Sequence, residues 1–191
     1  MNDFQDKVAI VTGAGSGIGA AIARELAERG AIVIAADLDL PAAQEVAGEI
    51  RADGGHAHAV EVDVADAEAA ERLVAFAVET GGGLHLAVNN AGIGGPNENV
   101  ADYPLDGWKQ VIDVNLNGVF YGMKYQIAAM LNSGGGAIVN ISSIGGRQPT
   151  PGMGAYESSK AAVDSVTRWA AIELAAHGIR VNAVAPGPVL T

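Results

Sequence analysis

Val8-Ala9-Ile10-Val11-Thr12-Gly13-Ala14-Gly15-Ser16-Gly17-Ile18-Gly19 is the stretch that sets the fold of this 191-residue chain. Val8 to Val11 is a short apolar, largely β-branched run, the composition of a strand buried on both faces. It breaks into glycines, and Ala20 to Arg29 then carries good helix formers. Strand, glycine turn and helix in that order bring backbone N–H groups and the positive end of a helix to one point, which suits a pyrophosphate. The spacing departs from G-x-G-x-x-G, because isoleucine stands at position 18. It fits G-x-x-x-G-x-G through Gly13, Gly17 and Gly19, and also the form ending in alanine through Gly15, Gly17 and Ala20.

Working outward, Ala31 to Ala36 reads as the next strand and ends in Asp37, about 20 residues past the turn. An acidic side chain there can accept hydrogen bonds from an adenosine ribose. It would repel a 2′-phosphate, and Ser16 offers no charge to attract one, so NAD rather than NADP is the expected cofactor. Asp37 could instead cap the helix that begins near Pro41, but Asp39 is the better-placed cap. Asp63-Val64 closes a strand from Ala57 to Val62, where a side chain could meet an adenine edge. His56 and His58 are expected in a glycine-bounded turn before that strand, and with no further His or Cys nearby no metal is expected.

Ala67 to Thr80 repeats apolar residues at helical spacing and ends at Gly81-Gly82-Gly83; Leu84 to Val88 is another buried strand. It runs into Asn89-Asn90-Ala91-Gly92, two amides able to bond neighbouring strands and a cofactor ribose, or simply to end a strand. One long helix is expected from Leu105 to Leu131, on a stripe of Ile112, Leu116, Val119, Met123, Ile127 and Met130, with Asn115 inside it. Ala137 to Ile141, ending in Ser142-Ser143, and Ile179 to Ala185, ending at Pro186-Gly187-Pro188-Val189-Leu190-Thr191, complete six strands. Strands alternating with helices imply an α/β fold: a doubly wound parallel sheet of Rossmann type, in the order 3-2-1-4-5-6, within one domain over residues 1–191.

Composition narrows the function. A formal charge of -11 with no Lys/Arg cluster disfavours nucleic acid and anionic membrane surfaces. Without cysteine there is no disulfide, thiol nucleophile or thiolate metal site. No run approaches the roughly 18 apolar residues of a membrane span, and Met1 to Lys7 is not a basic segment followed by an apolar one. A soluble cytoplasmic protein is expected.

Tyr156-Glu157-Ser158-Ser159-Lys160 carries the chemistry. Four residues apart in a helix-forming segment, Tyr156 and Lys160 lie on one helix face. At an effective dielectric of ~20, a unit charge at about 4 Å is worth ~4 kcal/mol, and ~1.4 kcal/mol moves a pKa by one unit. The lysine could thus make a working acid/base of a tyrosine, although the two residues alone also describe an ordinary surface pair.

Taken in order, Thr12 to Gly19, Asp37, Asp63-Val64, Asn89 to Gly92, Asn115, Ser143, Tyr156 with Lys160, and Pro186-Gly187 resemble the short-chain dehydrogenase/reductase family, and the resemblance covers nearly the whole chain. It implies a Ser-Tyr-Lys-Asn mechanism. In it Tyr156 is the general acid/base, Lys160 lowers its pKa and holds the nicotinamide ribose, Ser143 rather than Ser142 bonds the substrate oxygen, and Asn115 fixes the active-site helix and a proton-relaying water. NAD would contact Gly13, Ser16, Gly17, Ile18, Gly19, Asp37, Leu38, Asp63, Val64, Asn90, Ala91, Gly92, Tyr156, Lys160, Pro186, Gly187, Val189 and Thr191. The substrate class implied is a small secondary alcohol or its ketone, and the assembly a homo-oligomer, dimer or tetramer. An acyl-carrier-protein substrate is disfavoured, since such carriers are acidic like this chain. Family members continue past the Pro-Gly motif through a substrate-covering segment and a seventh strand, so the chain is expected to be incomplete at Thr191. The alternative is a truncated NAD-binding module with little or no turnover.

Overall fold

Residues 3–189 are described by a computed structural model; Thr191, expected at the cofactor, lies outside them. β1 (Val8–Thr12) is buried along its whole length at the middle of a six-stranded sheet. β2 (Ile32–Asp37) and β3 (His56–Glu61) lie on one side of it, and β4 (Leu86–Asn89), β5 (Gly136–Ile141) and β6 (Ile179–Val184) on the other, giving the order β3-β2-β1-β4-β5-β6. Every pairing is parallel, with Ile10 opposite Ile34 on one side and Ala87 on the other. All six carboxyl ends therefore point to one edge, where an open α/β sheet binds its ligands.

The helices cover both faces. α1 (Gly17–Glu28) and α2 (Leu40–Ala52) enclose a layer built from Ala9, Val11, Ala23, Val33, Val46 and Ile50. α3 (Ala67–Gly81), α5 (Gly118–Asn132) and α6 (Gly154–Leu174) enclose the other, from Val8, Ile10, Ile34, Leu73, Met123, Ile138 and Val163. Alternate residues of β1 thus feed opposite cores, as a period of two demands. Fully burying a side chain such as Ile10 or Ile34 contributes about 1.5–3 kcal/mol. Asp39 caps α2 by accepting from the Ala42 N–H at 3.1 Å, as its position implied.

Three local expectations change. The helix expected over Leu105 to Leu131 is α4 (Leu105–Ile112), a π-helical turn at Asp113–Asn117, and α5. The extra residue in the turn rotates the buried face, so Val111, Asn115, Val119, Met123, Gln126 and Met130 point inward while Ile112, Leu116 and Ile127 are only partly buried. His56 and His58 lie in β3 itself, exposed on its outer positions. Among the described residues no trio of His, Asp or Glu is arranged to hold a metal ion. α1 begins at Gly17 rather than Ala20.

The strands beside the centre are not wholly apolar. Asn89 donates to Gln126 Oε1 at 3.1 Å and to Asn140 Oδ1 at 2.8 Å, and Asn140 donates to Thr167 at 2.9 Å. Buried amides are tolerated where each finds a partner, and this chain of bonds ties β4, β5, α5 and α6 together.

His85, just before β4, accepts the Val8 N–H on Nδ1 at 3.1 Å. Burial, and secondarily the charge of Lys7, hold its pKa below 6.5. The charged form is thus disfavoured in the fold, so the unfolded chain binds the proton first. Stability present above about pH 6.5 should fall as pH drops from there toward the lowered folded value. His85→Asn keeps an acceptor near the Nδ1 position and cannot titrate. Chemical denaturation of both proteins between pH 7 and pH 5 should show the decline in the wild type and a flatter profile in the variant; parallel profiles would remove His85 as the cause.

Candidate active site

A cleft of about 910 Å³ runs across the carboxyl edge, within the range that holds a cofactor. The glycine turn forms its floor through Gly13, Ser16, Gly17 and Ile18. Gly13 has φ +64°, and a Cβ there would meet Asn90 Nδ2 at 2.8 Å and Ala91 Cα at 2.9 Å. Gly19 is not on the lining. It lies behind the turn, where a Cβ would stand 2.0 Å from Gly13 O, so its role is to let α1 approach the turn. Ser16 precedes α1 without capping it by its side chain, which leaves N–H groups of the first turn directed at the cleft.

Asp37 is held at the far end of the floor. Its Oδ2 accepts from Gly15 N at 2.8 Å and its Oδ1 from Asp39 N at 3.0 Å, with Leu38, Asp63 and Val64 beside it on the lining. Asn90, Ala91 and Gly92 close the near side. Asn90 Nδ2 donates to Thr12 O at 3.0 Å and Gly13 O at 3.1 Å, so this amide braces β1 against β4. Asp106, Lys109, Gln110, Asp113 and Val114 form the opposite wall. Sequence gave no sign of them, because polar residues at helical spacing look like a solvated face.

The residues of the expected chemistry gather where β4 and β5 end. Asn115 is wholly buried in the π-helical turn: Oδ1 accepts from Ile93 N at 2.8 Å, and Nδ2 donates to Ile93 O at 2.9 Å and Ser159 Oγ at 3.1 Å. Ser159 donates in turn to Tyr156 O at 2.6 Å. Lys160 Nζ donates to Ile141 O at 2.8 Å and lies 5.7 Å from the centroid of the half-buried Tyr156 ring. Its burial pulls its pKa from 10.5 down to about 8. A Cβ on Gly92 would come within 3.2 Å of Asn115 Oδ1 and 3.4 Å of Lys160 Nζ, so the cleft and this cluster meet at Gly92.

The two serines separate. Ser142 is buried and donates to Lys160 O at 3.1 Å, while Ser143 is half-exposed and its Oγ accepts from Gly145 N at 3.1 Å. Pro186 O accepts from Ile144 N at 3.1 Å, and Gly187 lies against the Ile144 side chain. Pro186 and Gly187 therefore adjoin the serine side of the site and do not line the cleft, nor does Val189, which is exposed.

Residues 7–191 match the short chain dehydrogenase family. The chain belongs to that family. This short-chain dehydrogenase is 48% identical over 190 residues to a cyclohexanol dehydrogenase of Acinetobacter sp., which it covers over 76% of that protein's length and all of its own. It is 42% identical to a 2,5-dichloro-2,5-cyclohexadiene-1,4-diol dehydrogenase of Sphingobium indicum, with the same coverage. Its fold superimposes on the crystal structure of an NAD+-bound xylitol dehydrogenase with a TM-score of 0.94 at 37% identity, covering 97% of this chain and 71% of that one.

Proposed function

We propose that this chain transfers a hydride between NAD(H) and a secondary alcohol on a six-membered aliphatic ring, or the corresponding ketone. The observation that carries the reading is Lys160, a cation 4% exposed beside Tyr156; among the described residues its ammonium has one hydrogen-bond acceptor, the backbone carbonyl of Ile141. Burying a charge without an opposite one is costly, and such perturbed groups concentrate at reacting centres. The ring class comes from the names of the two relatives, and the nicotinamide cofactor is supported by the NAD+-bound neighbour.

The glycine turn, the free N–H groups at the start of α1 and Asp37 fit a dinucleotide, and these residues with Asn90 to Gly92 would hold it. When bound, NAD supplies the hydride acceptor, or in reverse NADH the donor. Tyr156 takes the hydroxyl proton of the alcohol, or returns it. Lys160 stabilises negative charge on the phenol oxygen as that proton moves. Ser143, whose oxygen is engaged by Gly145 N, keeps its O–H for the substrate oxygen. Asn115 holds Tyr156 in place through Ser159, tying α6 to Ile93 on the loop after β4.

NAD preference is assigned to Asp37, since a 2′-phosphate would meet its carboxylate at short range, a repulsion worth about 3 kcal/mol. kcat/KM with NAD should exceed that with NADP by about 100-fold. Asp37→Asn keeps an acceptor and removes the charge, and should narrow the ratio at least about tenfold. Equal values for the two cofactors in the wild type would remove this assignment.

A single-domain homo-oligomer in the cytoplasm is part of the same proposal. Phe120 of α5 and Trp169 and Ile172 of α6 are 40%, 51% and 79% exposed, apolar surface of the kind that copies of a chain bury together. Among the described residues no helix is long and apolar enough to cross a membrane.

A further inference from the structure

α6 carries a second row of residues beside the one that holds Tyr156 and Lys160. Glu157, Ala161 and Asp164 follow helical spacing on one face, and Glu157 and Asp164 are 7% and 6% exposed. Neither carboxylate has a part in the mechanism above. Both face the loop that leaves β5 with Ser143 at its start.

That loop is laid along the row from end to end. Thr150 N donates to Glu157 Oε1 at 2.7 Å. Arg147 donates through Nε and Nη2 to Asp164 Oδ2, each at 3.1 Å. Between them the glycines allow contact: a Cβ on Gly146 would lie 2.8 Å from Ala161 N, and one on Gly145 would lie 3.3 Å from Glu157 Cγ. Gly145 is also the residue whose N–H engages Ser143 Oγ. The packing of Gly145 on Glu157 therefore fixes the group that orients the serine hydroxyl.

We infer that Glu157 is a positioning residue, clamping the loop after β5 onto α6 so that the Ser143 hydroxyl is held toward the substrate oxygen beside Tyr156. A buried carboxylate that accepts from a backbone N–H is an expensive way to fill space, and a methionine would pack there at lower cost. The Arg147–Asp164 contact is the other end of the clamp, between an arginine side chain 69% exposed and an aspartate side chain 7% exposed. The inference rests on the reading of Ser143 as the group that bonds the substrate.

The test compares the full chain with Glu157→Met, which keeps volume and removes the acceptor, and with Glu157→Gln, whose amide oxygen can still accept from Thr150. Three quantities are read: kcat and KM for cyclohexanol, the Kd of NADH from protein fluorescence, and hydrogen exchange of peptides covering residues 143–152. Glu157→Met should lower kcat about tenfold through misplacement of the serine, leave the NADH Kd within about twofold, and speed exchange in that loop alone. Glu157→Gln should restore most of the loss. A kcat for Glu157→Met within about twofold of wild type, a Gln variant as slow as the Met variant, or a loss of NADH affinity in step with kcat would each overturn the proposal. If the wild type turned over no alcohol, the functional reading would fail on its own, and unchanged exchange in Glu157→Met would still overturn the clamp.

Discussion

Tyr156→Phe is expected to lower kcat by about 100-fold to 10,000-fold, the range that a lost general acid/base commands. Phenylalanine keeps the ring on α6 and deletes only the hydroxyl. Tyr156 does not line the cleft that would hold the adenosine and diphosphate, so NADH affinity should stay within about twofold of wild type. The bonds that place the residue, from Asn115 through Ser159 to the Tyr156 carbonyl, involve the main chain and survive the change. Steady-state rates and a fluorescence titration on the same preparation separate the two effects. A variant that retained most of the wild-type kcat would take the proton-transfer role away from Tyr156.

Lys160→Met should separate activity from stability. The ammonium is buried and donates to Ile141 O, its one partner among the described residues. Burial lowers its pKa from 10.5 to about 8, which places the cost of the charged form at neutral pH at roughly 3 kcal/mol. Because the folded value lies below the unfolded one, the unfolded chain binds the proton more tightly. Wild-type stability should therefore rise as pH increases from about 8 to about 10.5. Methionine removes the charge but leaves Ile141 O without its donor, an opposing cost of about 1–3 kcal/mol. At pH 7 the variant should melt at or above the wild-type temperature, lack the alkaline rise, and turn over at least about 100-fold more slowly. Thermal melts at pH 7 and pH 9.5 with matched rate measurements check this. A variant that was destabilised at both pH values would make Lys160 a structural brace.

Much of the fold is legible because its signals are local. The apolar runs from Val8 and from Ile32, and the alternation of strand with helix, imply a doubly wound parallel sheet, and the glycine turn after β1 with Asp37 at the end of β2 points to the dinucleotide-binding order 3-2-1-4-5-6 that the sheet adopts. The helical path from Leu105 to Asn132 was legible, but the π-helical turn inside it was not. A π-helical turn adds one residue to a helix without altering its composition, and only the burial of Asn115 and Gln126 shows that the face has rotated. The bonds joining Asn89, Gln126, Asn140 and Thr167 assemble across four elements, and no short window of sequence contains them.

The candidate site divides in the same way. The glycine turn, Asp37 and the Tyr156–Lys160 pair have fixed spacings and stand out in the chain. Gly19 shares that motif yet serves the approach of helix to turn, a distinction that needs the 2.0 Å separation between a Cβ there and Gly13 O. The wall from α4 and the carboxylate row of Glu157 and Asp164 have only the spacing of an ordinary helix face, and their meaning lies in what each side chain faces.

The central claim is that this chain moves a hydride between a ring alcohol and NAD. It is tested most directly by mixing the full chain with cyclohexanol and NAD and following the absorbance of the reduced nicotinamide, with Tyr156→Phe as the paired control. The account predicts steady formation of reduced cofactor by the wild type and about 100-fold or slower formation by the variant. No reduced cofactor from cyclohexanol or from any other secondary alcohol, in a protein that nonetheless binds NADH, would contradict it.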